Sequence, residues 1–131
     1  MTKAKAGIGV AGRRRGSGVL QHLRDQIRVF ADKRDWDQYH SPKNLSAALI
    51  VEAAELLEHF QWLTERESLS LPARKLSEVR EEMADVFIYL IRLADKLDID
   101  LIEAATKKLE KNAEKYPVEK ARGSNRKYTE L

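Results

Sequence analysis

"LIVEAAELLEHFQWL" (residues 49–63) reads as one amphipathic helix with an anomaly inside it. Two glutamates, Glu52 and Glu55, stand three apart in its most apolar stretch. At about 100° per residue, Leu45, Leu49, Leu56, Phe60 and Leu63 fall on one apolar arc. Glu52, Glu55, His59 and Trp62 line the edge of that arc, not the opposite, solvated face. A buried carboxylate is costly unless it is paired or coordinated, so two at this edge need a physical reason.

Working outward, the helical period recurs along the chain. Leu20, Leu23, Ile27 and Phe30 repeat at three, four and three, which predicts an amphipathic helix after Gly18. Ser41 followed by Pro42 suits an N-cap with proline in the first turn, opening a second helix expected to reach about Trp62. "LTERESLSLP" reads as a polar connection, and Pro72 opens a third helix to about Leu97. After a break at "DID", with Asp98 or Asp100 as cap, a fourth helix runs from Leu101 to Tyr116, stopped by Pro117. The closing "VEKARGSNRKYTEL" reads as irregular, and no strand alternation or internal repeat is visible. The reading is all-α, a four-helix bundle. Ile50, Leu57, Ile88 and Ile91 lie off the main arcs and need a second surface, so oligomerisation is expected to complete the core.

At 131 residues the chain can build one domain with a modest core. No cysteine is present, which excludes disulfides, thiolate metal sites and cysteine nucleophiles, and suits a reducing cytoplasm. The net charge of +3 is unevenly placed. Residues 1–18 hold Lys3, Lys5, Arg13, Arg14 and Arg15 and no acid; the remainder has 19 basic and 21 acidic residues, a net of −2. Residues 1–18 therefore read as a basic, disordered and dispensable leader, residues 19–117 as the helical domain, and 118–131 as a tail. Targeting or nucleic-acid contact are the other readings of the leader. An acidic folded part argues against a stable nucleic-acid partner, and no apolar run nears the ~18 residues that a membrane span needs.

The third helix repeats the layout of the second. Glu82 and Asp85 stand three apart beside an arc of Val86, Leu90 and Leu93, with Tyr89 one turn on. Packed apolar face to apolar face, the two helices would gather four carboxylates. Like charges that close raise their pKa values or recruit a cation. Four oxygen donors favour Mg²⁺ or Mn²⁺ over Zn²⁺. A helix-bundle di-iron site would carry Glu-x-x-His on two helices; His59 follows Glu55 by four, so iron is disfavoured. A single Glu-x-x-Glu is usually a solvated face, but the matched pair on a second helix argues against that here. Glu58 and Glu78 read as surface charges and Glu81 as ambiguous.

"EAAELLEHFQW" followed by "EEMADVFIYL" resembles the MazG-like nucleotide pyrophosphohydrolases, whose signature is ExxE on one helix and ExxD on the next. "RDWDQYHSPKNL", "KNAEKYP" and "RGSNRKYTEL" extend the resemblance over residues 19–131, closest to the dCTP pyrophosphatase branch. It implies hydrolysis of a (deoxy)nucleoside triphosphate, dCTP or a modified dCTP, to the monophosphate and pyrophosphate. It also implies Mg²⁺, replaceable by Mn²⁺, on Glu52, Glu55, Glu82 and Asp85, with base contacts at Trp36, Trp62 and Tyr89. Homodimers or homotetramers are expected. One position departs from the branch: its base-contacting His, nine residues before the Trp of the DW motif, is Ile27 here.

The residues beside these motifs support the same chemistry. A triphosphate is highly anionic, so cations must meet the charge that bound metal leaves over. Lys108, Asn112 and Lys115 form one stripe of the fourth helix, and Arg122 and Lys127 in the tail are placed to close over phosphates. Glu55 or Glu81 would orient the attacking water; the sequence leaves both open. The competing readings are a dUTP- or other non-standard-dNTP pyrophosphatase, and a non-catalytic helical interaction module.

Overall fold

The computed structural model describes residues 11–131, with side chains from Gly18 onward. The leader reading therefore lies, for residues 1–10, outside the described residues. The described chain is all helix and turn, with six helices and no strand. Four are the expected long ones: α1 (Ala11–Lys33), α2 (Pro42–Glu58), α4 (Ala73–Lys96) and α5 (Leu101–Lys115). Two are single turns, α3 (Glu65–Ser68) and α6 (Val118–Ala121).

The starts follow local chemistry. Ser41 caps α2, its hydroxyl accepting from the Asn44 amide at 3.2 Å, with Pro42 in the first turn. Asp100, not Asp98, caps α5, accepting from the Glu103 amide at 3.0 Å. Asp98 instead takes φ 52 in the turn after α4. α1 begins ahead of Gly18, because apolar spacing marks where a helix buries a face, not where its hydrogen bonding starts.

The far end of α2 departs from expectation. The helix stops at Glu58 and not near Trp62. The His59 and Phe60 amides bond back to the carbonyls of Leu56 and Leu57, three residues earlier, which tightens the turn out of the α-helix. The supposed polar connection then holds α3, opened by a capping box in which Thr64 Oγ1 accepts from the Glu67 amide and Glu67 reaches back to Thr64. His59, Phe60, Trp62 and Leu63 thus do not continue the helical stripe, and Trp62 is 87% exposed. The tail is likewise not wholly irregular, since α6 and a 3₁₀ turn at Tyr128–Glu130 lie within it.

The chain divides into two compact units after Leu97. In the first, α2 packs along α4 and α1 also meets α4. Its buried apolar residues are Ala31, Leu45, Val79, Ile91 and Ala94. On α1, Leu20, Leu23 and Ile27 are half-buried and Ala31 takes the inner place, while Phe30 is exposed. Of the off-arc residues, Ile91 is buried within the chain, whereas Ile50, Leu57 and Ile88 are exposed. No described helix is long and apolar enough to cross a membrane.

Candidate metal centre

The α2–α4 packing gathers the acids. Glu52 on α2 and Glu82 and Asp85 on α4 offer carboxylate oxygens all within 4.8 Å of one another. That is close to the ~4 Å separating opposite ligands of one Mg²⁺ at about 2.1 Å each. Glu55 stands one turn further along α2, and its carboxyl bears on both Glu52 and Glu82.

The electrostatics agree with that geometry. Burial, then the neighbouring Glu55 carboxyl, then the charges of Asp85 and Glu82, push the Glu52 carboxyl up to about 7. Glu82 is also raised, by burial first and then by Glu55 and Asp85, while His59 opposes the shift. Oε2 of Glu82 is buried without a hydrogen-bond partner. Such an oxygen is costly to leave unmet, and a bound cation is what this donor set would satisfy. Burial and the charges of Glu52 and Asp85 raise the hydroxyl of Tyr89, which follows Asp85 by one turn of α4.

His59, at the C-terminus of α2, spans the α4 side of the cluster. Its Nε2 is 3.8 Å from Glu82 Oε1 and its Nδ1 3.8 Å from Glu78 Oε2. Glu78, read from sequence as a plain surface charge, is thereby tied to the site's rim, and it also meets Arg74 and Lys75 at 3.6 Å. Glu81 is exposed. The structure thus brings together Glu52, Glu82 and Asp85, with Glu55 one turn on along α2 and Tyr89 one turn on along α4.

The two tryptophans lie outside α2 and α4. Trp36 lies between α1 and α2; its amide donates to Ala31 O at 3.0 Å, and its ring meets Phe30 and His40 edge-on at 5.6 and 6.3 Å. Trp62 follows the end of α2, in the turn before α3.

Lys108, Asn112, Lys115, Arg122 and Lys127 all belong to the second unit. There Lys115 Nζ lies 4.9 Å over the Tyr128 ring, and Tyr128 packs edge-on against Tyr116 at 6.0 Å, so the tail folds back on α5. Lys108 is exposed and Asn112 half-buried.

Sequence reasoning missed one group altogether. Arg92 of α4 is buried and bonded to Asp37 and His40 ahead of α2. The available signal was the spacing Glu82, Asp85, Tyr89, Arg92, which continues the acid stripe along one face of α4.

The MazG-like family model matches residues 48–131. The chain is 43% identical over 115 residues to human dCTP pyrophosphatase 1 and 41% identical to the mouse protein, in each case over 86% of this chain and 68% of the relative. The crystal structure of a pyrophosphatase from Archaeoglobus fulgidus superposes with a TM-score of 0.72 at 47% identity, covering 75% of this chain and 92% of that one.

Proposed function

The chain belongs to the MazG-like family and is a nucleotide pyrophosphohydrolase, and on that premise we propose that it hydrolyses dCTP, or a base-modified dCTP, to the monophosphate and pyrophosphate with Mg²⁺. The observation that carries the metal assignment is the meeting of Glu52, Glu82 and Asp85 within 4.8 Å around an unpartnered Glu82 oxygen. Glu52, Glu55, Glu82 and Asp85 would hold the cation. When bound, it neutralises phosphate charge and makes a coordinated water more acidic; Mn²⁺ offers the same oxygen-ligand chemistry.

The remaining steps belong to the chain's own groups. Water attacks the α-phosphorus, its oxygen forms the new P–O bond, and the bond from that phosphorus to the α–β bridging oxygen breaks. Glu55 is assigned the water's proton, since it sits within the acid cluster whereas Glu81 is exposed. Trp36, Trp62 and Tyr89 are assigned to the base, whose flat face stacks on aromatic rings. Lys108, Asn112, Lys115, Arg122 and Lys127 are assigned to the phosphates on their charge and hydrogen-bonding capacity alone.

Ile27, half-buried on α1 where the dCTP branch has a histidine, favours a second reading in which dUTP or another non-standard dNTP is preferred. Pyrophosphate release with Mg²⁺ across the four common dNTPs, the NTPs, 5-methyl-dCTP, dUTP and dITP separates the two, with Glu82→Gln as control. Turnover of cytosine nucleotides alone supports the first reading, and turnover of another base the second. No turnover by folded protein would return the chain to the interaction-module reading.

A further inference from the structure

The stripe on α4 that begins with the acids does not end at Tyr89. Glu82, Asp85, Tyr89 and Arg92 recur at three, four and three, one face of a helix with about 3.6 residues per turn. The Arg92 side chain is only 4% exposed, and each of its three guanidinium nitrogens meets an acceptor. Nε donates to His40 Nδ1 at 3.1 Å, Nη2 to Asp37 Oδ1 at 3.0 Å, and Nη1 to Asp95 Oδ2 at 3.5 Å. Two of those acceptors lie in the segment between α1 and α2 that carries Trp36. The network is closed from both sides: Lys96 also meets Asp37, and Arg28 of α1 grips Asp95 with two bonds, at 3.0 and 2.5 Å.

Nothing in the hydrolytic assignment uses this network, yet a buried guanidinium is costly, and apolar packing of similar volume often stabilises as well. What the fork supplies that apolar packing lacks is direction, because planar donors accept few arrangements of their partners. His40 is held as the neutral acceptor, since burial and then the charges of Arg92 and Lys96 disfavour its cation against the weaker pull of Asp37. Its ring in turn meets Trp36 edge-on.

We propose that Arg92 is a positioning residue for base recognition, acting through His40 and Asp37 to fix the Trp36 indole relative to Tyr89. The role rests on the nucleotide reading above, with Trp36 and Tyr89 as base contacts. Arg92 touches neither the metal acids nor the reacting phosphate in this role, so it governs substrate capture and base discrimination and not the hydrolytic step.

The test uses two variants. Arg92→Lys keeps the charge and loses the fork. Asp37→Asn removes the loop-side anchor at a side chain that is 57% exposed, so the fold survives even where an Arg92 variant fails. The chain has two tryptophans, so a Trp62→Phe background leaves Trp36 as the sole indole reporter, with no nucleotide needed. Expected are lower Trp36 anisotropy and stronger acrylamide quenching in both variants, with the Mg²⁺-induced rise in Tm retained. In the chain with Trp62 intact, KM for the preferred dNTP should rise about tenfold while kcat stays within about twofold. The selectivity ratio between preferred and poorest base should narrow as well. Unchanged Trp36 signals, or a fall in kcat with KM unmoved, would overturn the proposal. Trp36 loosened in the variants, with wild type turning over no nucleotide, would sink the functional reading and the recognition role with it, leaving only a structural anchor.

Discussion

His59 Nε2 stands 3.8 Å from Glu82 Oε1, the carboxylate whose other oxygen is buried without a partner. One imidazole is a weak counterion for four acids, so the metal-free cluster stores repulsion that a cation would relieve. Glu82→Gln is expected to raise the Tm of the metal-free protein by removing one of those charges. The same variant should lose most of the Mg²⁺-induced stabilisation, which in wild type reaches about 2.7 kcal/mol at a hundredfold excess over Kd. Thermal scans with EDTA and with Mg²⁺ check both. A full Mg²⁺ response in Glu82→Gln would show that the cation sits elsewhere.

The raised Glu52 carboxyl gives a pH dependence whose sign follows from proton uptake. Its folded value of about 7 lies above the ordinary 4.5, so between those values the native state holds a proton that the unfolded chain has released. Stability from this group is therefore fully present below pH 4.5 and is lost as pH rises through about 7. His40, depressed in the native state, works in the other direction, so the comparison needed is wild type against Glu52→Gln. Without metal, the Tm difference between them should move in favour of Glu52→Gln as pH climbs from 5 to 8, roughly the window set by that shift. With Mg²⁺ present the trend should reverse, since cation binding requires the ionised carboxylates. A difference flat with pH would mean that Glu52 titrates normally.

Much of this centre was legible in the sequence because it depends on helical period alone. Glu52, Glu55, Glu82 and Asp85 sit at i, i+3 on two helices whose apolar arcs point at each other, and α2 with α4 packs as those arcs require. The end of α2 was not legible, since "HFQWL" contains no glycine or proline to mark it and its exit rests on backbone bonds to Leu56 and Leu57. Thr64 with Glu67 did carry a signal, a capping box hidden inside a stretch read as polar connection. Arg92 was the hardest case. Its loop partners are 52 and 55 residues away along the chain, and periodicity says nothing about a contact at that separation.

The Thr64 box also fixes how the chain leaves the site, because Thr64, the N-cap of α3, follows Trp62 by two residues. Replacing a capping Thr with Ala costs about 1 kcal/mol, so Thr64→Ala should lower Tm by roughly 3–5 °C in a chain of this size. Glu67→Ala should cost less, as its bond to the Thr64 amide is long at 3.5 Å. Differential scanning calorimetry of the two variants ranks them, and a neutral Thr64→Ala would mean that α3 is not held by its cap.

Exposed apolar side chains on the first unit support a second copy as the missing cover. Ile50 and Leu57, seven apart on α2, are 66% and 59% exposed, and Met83, Phe87 and Ile88 of α4 are exposed too. Within one chain, Leu45, Val79 and Ile91 are the only apolar side chains larger than alanine that are buried among the described residues, which is a thin core for helices of this length. A stable interface hides about 800 Å² per partner, and stripes of this kind on two adjacent helices are the natural place for it. Light scattering at micromolar concentration should therefore return at least twice the chain mass of 15.0 kDa. Leu57→Glu should shift the population toward monomer, because a carboxylate cannot enter an apolar interface without a partner. A wild-type mass of one chain would mean that these faces stay in water, and the oligomer assignment would fall.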